Sequence, residues 1–110
     1  MLQDRIKELK KEIVEYGALI EDMIMKSIAG LWAREQAPLT EIIDVLEPAT
    51  NDREIKLDEL CTTTIAQYEP RARALRIVLM VFKMNSELER MGDHVANIAY
   101  SGLFLVSHAP

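Results

Sequence analysis

Residues 88–99 read Leu-Glu-Arg-Met-Gly-Asp-His-Val-Ala-Asn-Ile-Ala and lie late in the longest uninterrupted helical pattern of the chain. The apolar residues of this stretch recur in steps of three and four, the spacing that places side chains on one face of an α-helix. Glu89 and Asp93 are four residues apart, so their carboxylates project from one helix face about a turn apart. The stretch therefore predicts a helix with an apolar face and an acidic face opposite it.

The same period continues in both directions and predicts a helix from about Arg71 to Val106. Its apolar seam advances in alternating steps of four and three, which is a heptad pattern. The other side of the first half is apolar as well, which predicts burial on both sides there, whereas the second half becomes one-sided. The seam consists of Ile77, Val81, Met84, Leu88, Met91, Val95, Ile98, Gly102 and Leu105.

An earlier seam predicts a first helix from Asp4 to about Arg34, with charged residues on its other side. Gly17 lies inside this helix, where glycine is tolerable if a neighbouring helix passes close to it. The seam consists of Ile6, Leu9, Ile13, Tyr16, Ile20, Met23 and Ser27.

The middle helix is the least regular of the three. Thr40 is a plausible N-cap, because its hydroxyl can accept a hydrogen bond from a free first-turn N–H. Pro48 has no N–H to donate, so we expect a kink or break between residues 45 and 51. Glu69 and Pro70 should end the helix. Its apolar line consists of Ile43, Leu46, Thr50, Leu57, Cys61, Thr64 and Tyr68.

Length and composition indicate a single all-α domain spanning residues 1–110. Apolar residues make up 49% of the chain and Gly and Pro number only four each, which is typical of a helical protein. Short connections make neighbouring helices antiparallel, so we expect an up-down-up three-helix bundle. Such a slender bundle has a thin core, which favours pairing with a second copy.

Charge and cysteine content bear on the class of protein and its location. A net charge of −5 argues against a nucleic-acid surface, which needs a basic face. No apolar run approaches the roughly 20 residues of a membrane span, so we expect membrane contact only through partners. The lone Cys61 is compatible with a reducing compartment, and the charged N-terminus lacks the apolar core of a signal peptide. We therefore predict a cytoplasmic location.

Acidic residues on two helices form the main candidate site. Glu89 and Asp93 supply two carboxylates from one rigid helix, and hard divalent cations or iron prefer several oxygen ligands. The middle helix carries a second polar stripe, and the two could converge on a metal ion if they adjoin. Both can also be solvated faces, which is the commoner case, because like charges four residues apart cost only about 0.2–0.5 kcal/mol. The second stripe consists of Glu47, Asn51, Glu54 and Asp58.

No pattern in the sequence points to an enzyme. Cys61 lies on the apolar line of the middle helix and is interpreted as a small buried hydrophobe rather than a nucleophile. His94 could bind a metal or, more commonly, a neighbouring helix, and the Glu-x-x-His motif of di-iron bundles is absent. Three arginines at the start of the last helix could bind an anion or pair with acids of the middle helix or of a partner. They are Arg71, Arg73 and Arg76.

Residues 88–94, with Asn-Ile-Ala at 97–99, closely resemble the Leu-Glu-Arg-Ile-Gly-Asp-His…Asn-Ile-Ala signature of the PhoU family. The resemblance covers about residues 13–106. Typical PhoU proteins hold two such three-helix repeats, whereas this chain holds one.

Two upstream segments resemble the family with departures. Residues 70–76 resemble the family's Pro-x-Ala-x-Asp-Leu-Arg, with Ala74 in place of the acid. Residues 51–58 resemble its Asn-x-Leu-Glu-x-x-Ile segment, with Arg53 in place of the apolar residue. These departures leave the motif of the last helix unchanged.

The resemblance implies a PhoU-like, spectrin-repeat-like bundle that binds iron, zinc or another divalent cation through Glu/Asp-x-x-x-Asp motifs. It also implies a negative regulator of phosphate uptake that links the Pst phosphate transporter to a PhoR-like sensor kinase. We expect a homodimer whose two copies imitate the two-repeat proteins. The implied metal ligands are first Glu89 and Asp93, and then Glu54 with Asp58, or Glu47 with Asn51.

Three other functions are open at this point. The chain could be an accessory protein of a phosphate transporter other than Pst, or a structural or adaptor bundle without regulatory activity. A metal-storage or redox carboxylate protein is the weakest of the three, because the Glu-x-x-His motif is missing.

Overall fold

Four α-helices and one π-helical turn form three rods. The computed structural model describes residues 1–108, and the last two residues of the expected domain, Ala109 and Pro110, lie outside the described residues. The second rod is composite, because a short helix, the π turn and a longer helix follow one another without a break. The elements are α1 (Leu2–Ala33), α2 (Gln36–Glu41), the π turn (Ile42–Leu46), α3 (Glu47–Tyr68) and α4 (Ala72–His108).

The contacts between the rods give their directions. Ile20 and Leu31 of α1 lie against Gly92 and Gly102 of α4 in the same order, so these two helices run parallel. Arg5, near the start of α1, reaches side chains near the end of α3, so the composite rod is antiparallel to both. The bundle measures 59 × 18 × 16 Å. The prediction of an all-α, up-down-up three-helix bundle is confirmed.

The seam predicted for α1 forms one side of the core. All of its members are buried except Ile6, which is half-buried. Burial of a large aliphatic or aromatic side chain stabilises the fold by about 1.5–3 kcal/mol. The helix ends at Ala33, and the left-handed backbone of Arg34 (φ 55°) lets the following chain turn into α2. The regular period of this helix made it the most predictable of the three.

The middle rod departs from its prediction at both of the positions that were chosen. The N-cap assigned to Thr40 is wrong, because α2 already begins at Gln36 and Thr40 lies within it. Pro38 occupies the first turn of α2, where a missing N–H costs little. The irregularity expected around Pro48 is present but lies earlier, as the π turn at residues 42–46. A π-helix occurs mostly as a single turn inserted within an α-helix, which is its position here.

The seam predicted for α4 is only half correct. Val81, Val95 and Gly102 are buried and Leu88 is half-buried, but the alternate members face outward. The core takes small residues instead, because Gly92 and Gly102 let α1 approach so closely that a Cβ at Gly102 would lie 2.6 Å from Leu31 Cδ2. The exposed members form what we term the outer stripe: Met84, Met91, Ile98 and Leu105.

The first half of α4 is not buried on both sides as expected. Leu79, Met80 and Phe82 are 50%, 60% and 45% exposed, respectively, because only two rods pack against this helix. None of the helices described in residues 1–108 is both long and apolar enough to cross a membrane.

Candidate functional site

Two pairs of acids meet where α3 and α4 pack against each other. We term them the acidic seam: Glu54 and Asp58 on α3, and Glu89 and Asp93 on α4. Asn85 joins the two helices, because its Nδ2 donates a hydrogen bond of 3.1 Å to the backbone carbonyl of Glu54. Glu89 follows Asn85 by one turn on the same face of α4, so this link sets Glu89 beside α3.

The backbone of α4 brings Glu89 closer to the core than its sequence pattern suggested. Asn85 and Gly92 are buried and Glu89 is half-buried, whereas Asp93 is exposed. The sequence predicted that the acidic side of α4 lies opposite its packing face. In the structure the acidic side lies instead at the edge of that face. Ile20 of α1 occupies the space above Gly92, where a Cβ would lie 3.0 Å from its Cδ1.

The charges of the acidic seam act on one another. Burial raises the pKa of Glu54, and the negative charges of Glu89, Asp58 and Asp93 raise it further. The pKa of Tyr16 is raised by burial first and then by the charges of Glu54, Glu89 and Asp93. The acids of α3 and α4 are thus close enough to repel one another. The interpretation of the two stripes as a metal site required that they adjoin in this way.

No basic side chain of residues 1–108 forms an ion pair within 4.0 Å with any acid of the seam. Arg53 is adjacent to Glu54 in sequence but turns to α1, where its Nη1 lies 3.0 Å from Glu12 Oε2 and 2.8 Å from Glu15 Oε2. Lys56 also points to α1 and contacts Glu12. The negative charge between α3 and α4 is left without a counter-ion from this part of the chain.

The other two predicted ligands lie apart from this meeting point. Glu47 is half-buried and Asn51 is exposed, at the start of α3. Glu47 is not among the charges that raise the pKa of Glu54. Four of the six predicted ligands thus lie along the same contact between α3 and α4, and the role of all six as ligands stays a prediction.

The oxygen atoms of the acidic seam are the donor type that a hard cation prefers, but the side chains do not surround a single point. Among residues 1–108, no three His, Cys, Asp or Glu side chains converge closely enough to hold a metal ion. Asn85 Oδ1, however, is buried without a hydrogen-bond donor, and Asn85 is only 2% exposed. A buried carbonyl oxygen without a partner costs about 1–3 kcal/mol. With nearby carboxylates it is the donor type that hard divalent cations prefer.

A family model described as the PhoU domain matches residues 2–101 of the chain. The chain belongs to the PhoU family. It is 29% identical over 105 residues to the phosphate-specific transport system accessory protein PhoU homolog of Aquifex aeolicus, covering 96% of this chain and 47% of that protein. It is 30% identical over 107 residues to the accessory protein PhoU of Edwardsiella tarda, covering 96% and 44%, respectively.

A third relative is the accessory protein PhoU of Escherichia coli, which is 26% identical over 107 residues, covering 96% of this chain and 44% of that protein. The chain therefore spans a little under half the length of these curated relatives. No solved structure matches the chain significantly.

In this PhoU-family chain the signature at residues 88–99 forms the α4 side of the acidic seam. Sequence reasoning found Glu89 and Asp93 but missed Asn85 and Tyr16, which the structure places with them. The spacing of Asn85, four residues before Glu89, was a usable signal. Tyr16 gave none, because its position on the α1 seam was fully explained by the core.

The remaining candidates of the PhoU-family chain gain no role at this site. Cys61 is buried, and burial followed by the charge of Asp58 raises the pKa of its thiol to about 11, so it is a poor nucleophile at neutral pH. His94 is exposed. The arginines at the start of α4 are exposed and form no ion pair within 4.0 Å among residues 1–108, so anion binding stays a prediction.

Proposed function

We propose that this chain is a cytoplasmic, non-catalytic regulator of phosphate homeostasis that restrains phosphate uptake. It would contact components of a phosphate transporter and a PhoR-like sensor kinase. The match of the PhoU family model over residues 2–101 carries this proposal. The names of the relatives support the transporter half, since those proteins are called accessory proteins of the phosphate-specific transport system.

The proposed regulator uses a divalent cation such as iron or zinc, bound in the acidic seam, to assist these contacts. Glu54, Asp58, Glu89 and Asp93 would be the ligands, with Glu47 and Asn51 as a further set. Two observations support this part: the seam lacks a counter-ion among residues 1–108, and Asn85 Oδ1 lacks a donor. A bound cation would tie α3 to α4 and neutralise the surface that a partner meets.

The regulator would act as a homodimer. Slender bundles have a high ratio of surface to core, and α4 exposes large apolar side chains along most of its length. Burial of such a surface in a second copy would add the core that one bundle lacks.

Phosphate uptake in cells tests the regulatory role. The gene is deleted from its host, and the strain is complemented with the native protein or with a Glu89→Ala, Asp93→Ala double variant. We expect the deletion to raise phosphate uptake and the output of a sensor-kinase reporter under high phosphate. The native gene should restore repression, and the double variant should not.

The matched control is an Asp4→Ala, Glu8→Ala double variant, which removes two acids at the same spacing on the exposed part of α1. This control should repress as the native protein does. Unchanged uptake and reporter output in the deletion strain would contradict the regulatory proposal. Altered uptake with an unchanged kinase reporter would favour an accessory protein of another phosphate transporter.

A further inference from the structure

The outer stripe of α4 has the period of a helix-pairing seam, but half of that seam is unused inside the bundle. Met84, Met91 and Ile98 are each 44% exposed and Leu105 is 64% exposed. A spacing of seven residues keeps these side chains on one side of the helix over roughly 30 Å. Scattered exposed apolar residues are ordinary, whereas a continuous stripe marks an interaction surface.

Gly17 on α1 is an independent sign that something packs against this side of the bundle. A Cβ at Gly17 would have no neighbouring atom within 4 Å, whereas Cβ atoms at Gly30, Gly92 and Gly102 would each meet a packed side chain. Glycine inside a helix destabilises it relative to alanine. The cost at Gly17 is therefore not offset by a close contact among residues 1–108.

Gly17 also lies on the correct side of α1. It is three residues before Ile20, and Ile20 contacts α4 at Gly92. Residues three apart share a helix face, so Gly17 flanks the groove between α1 and α4 from which the outer stripe projects. The missing side chain leaves room for another helix beside the stripe.

We infer that the outer stripe and Gly17 form the surface through which two copies of this chain pair. This inference rests on the self-association proposed above and adds where it occurs. A stripe about 30 Å long and about 10 Å wide covers roughly 300 Å². Pairing would therefore also have to bury the flank of α1 around Gly17 to approach the roughly 800 Å² per side of a standard interface.

Charge favours a second copy over a membrane as the occupant. Lys83, Glu87 and Arg90 border the outer stripe on α4 and alternate in sign. A border with both signs can be complementary to itself across a two-fold axis. An anionic lipid surface would instead call for a basic border.

Sedimentation equilibrium on the full chain, from about 1 to about 100 μM, tests the inference. The native chain should be a dimer. A Met91→Glu, Ile98→Glu double variant places charges in the proposed interface and should weaken dimerisation at least about 100-fold. Ile55→Glu is the matched control, because Ile55 is 54% exposed on α3, away from the stripe, and it should leave the dimer intact.

Gly17→Ala separates pairing from folding, because the two effects have opposite signs. Alanine favours the helix and meets no atom in the single bundle, so the melting temperature of the monomeric double variant should rise when this change is added. In the otherwise native chain the same change fills the interface and should weaken dimerisation about tenfold. A variant that merely unfolds the chain cannot give both results.

Each outcome decides a different statement. A native chain that stays monomeric throughout the range overturns both the proposed self-association and its surface. A native dimer that persists in the Met91→Glu, Ile98→Glu variant, with helical content retained, overturns only the surface. Loss of the dimer in the Ile55→Glu control as well would show that the effect is not specific to the stripe and would overturn the assignment.

Discussion

The two sides of α3 differ in whether the acidic side chains at the contact have basic partners. On the side that faces α1, Arg53 lies 3.0 Å and 2.8 Å from Glu12 and Glu15, and Lys56 lies 3.3 Å from Glu12. These pairs place cations of α3 directly on acids of α1. At the contact between α1 and α3, the acidic side chains of α1 are therefore paired with basic side chains of α3.

On the side of α3 that faces α4, the charged side chains that act on Glu54, the residue after Arg53, are all acidic. The negative charges of Glu89, Asp58 and Asp93 raise the pKa of Glu54, and none of the groups that act on it lowers that pKa. The two contacts differ by one residue along α3, so the difference is not a matter of local composition. The first contact pairs opposite charges, whereas the second leaves like charges facing one another.

Breaking the compensated side should have the largest effect. Arg53→Met removes a partner of Glu12, whose side chain is only 10% exposed, and leaves that carboxylate with Lys56 alone. A poorly compensated buried carboxylate should lower the free energy of unfolding by about 1–2 kcal/mol. Urea denaturation followed by circular dichroism measures the change.

Lys26→Met is the matched control for this variant. Lys26 also pairs with two acids, Asp22 and Glu41, but both are largely exposed. The control should cost much less than Arg53→Met, because exposed ion pairs contribute little. Equal losses in the two variants would mean that the contact between α1 and α3 is not the special one.

Supplying the missing cation should stabilise the uncompensated side. Glu89→Lys places an ammonium group beside Glu54 and should raise the free energy of unfolding by about 0.5 kcal/mol in the presence of a chelator. Glu87→Lys, on the exposed face of the same helix, should not stabilise the fold. If Glu89→Lys destabilises the protein in the presence of the chelator, the acids of the seam do not repel one another as described.

The dependence of stability on pH should have opposite signs on the two sides. The raised pKa of Glu54 means that the fold holds this proton more tightly than the unfolded chain does. Its contribution is therefore lost as pH rises from the unfolded pKa of about 4.3 through the raised value. Glu54→Gln should match the native protein near pH 4 and be slightly more stable at pH 7.

Glu15 provides the opposite case. Its hydrogen bond from Arg53 lowers its pKa, so the stability it contributes is present at neutral pH and is lost as pH falls through that lowered value. Glu15→Gln should be less stable than the native protein at pH 7 and approach it in acid. The same direction of change in both variants would contradict the contrast.

The smallest effect is expected at the residue that joins α3 to α4. Asn85→Leu keeps the branched shape of the side chain, loses one hydrogen bond and removes the oxygen without a donor. These changes offset, so the free energy of unfolding in chelator should change by less than about 1 kcal/mol. A loss above about 3 kcal/mol would contradict this offset and show that the hydrogen bond from Asn85 is essential to the fold.

The sequence predicted the architecture well because the period on α1 had one possible outcome. The buried hydrophobic side chains of that helix all lay on one seam, and the neighbouring rods covered it. The heptad pattern of α4 was equally regular. Such a pattern does not show which of its residues pack inside the bundle and which stay exposed. Val81 and Val95 are used by the bundle, whereas Met84 and Met91 are not.

The acidic seam was predictable in its residues but not in its arrangement. The spacing of Glu89 and Asp93 showed a shared helix face, and the acids of α3 showed another. Only the packing showed that the two faces meet, because this depends on how far α4 rotates about its axis. That rotation is set by the small residues Gly92 and Gly102, whose role no pattern of charges reveals.

The melting temperature in the presence of divalent cations tests the central claim, that the acidic seam binds a cation through Glu89 and Asp93. The native chain is compared in chelator and in Fe²⁺, Zn²⁺ or Mn²⁺ in turn. A cation at ten times its dissociation constant should stabilise the fold by about 1.4 kcal/mol, which raises the melting temperature by roughly 5–10 °C. The Asp4→Ala, Glu8→Ala control should keep this shift, and the Glu89→Ala, Asp93→Ala variant should lose it. A native chain that no cation stabilises, or an undiminished shift in the Glu89→Ala, Asp93→Ala variant, would contradict the claim.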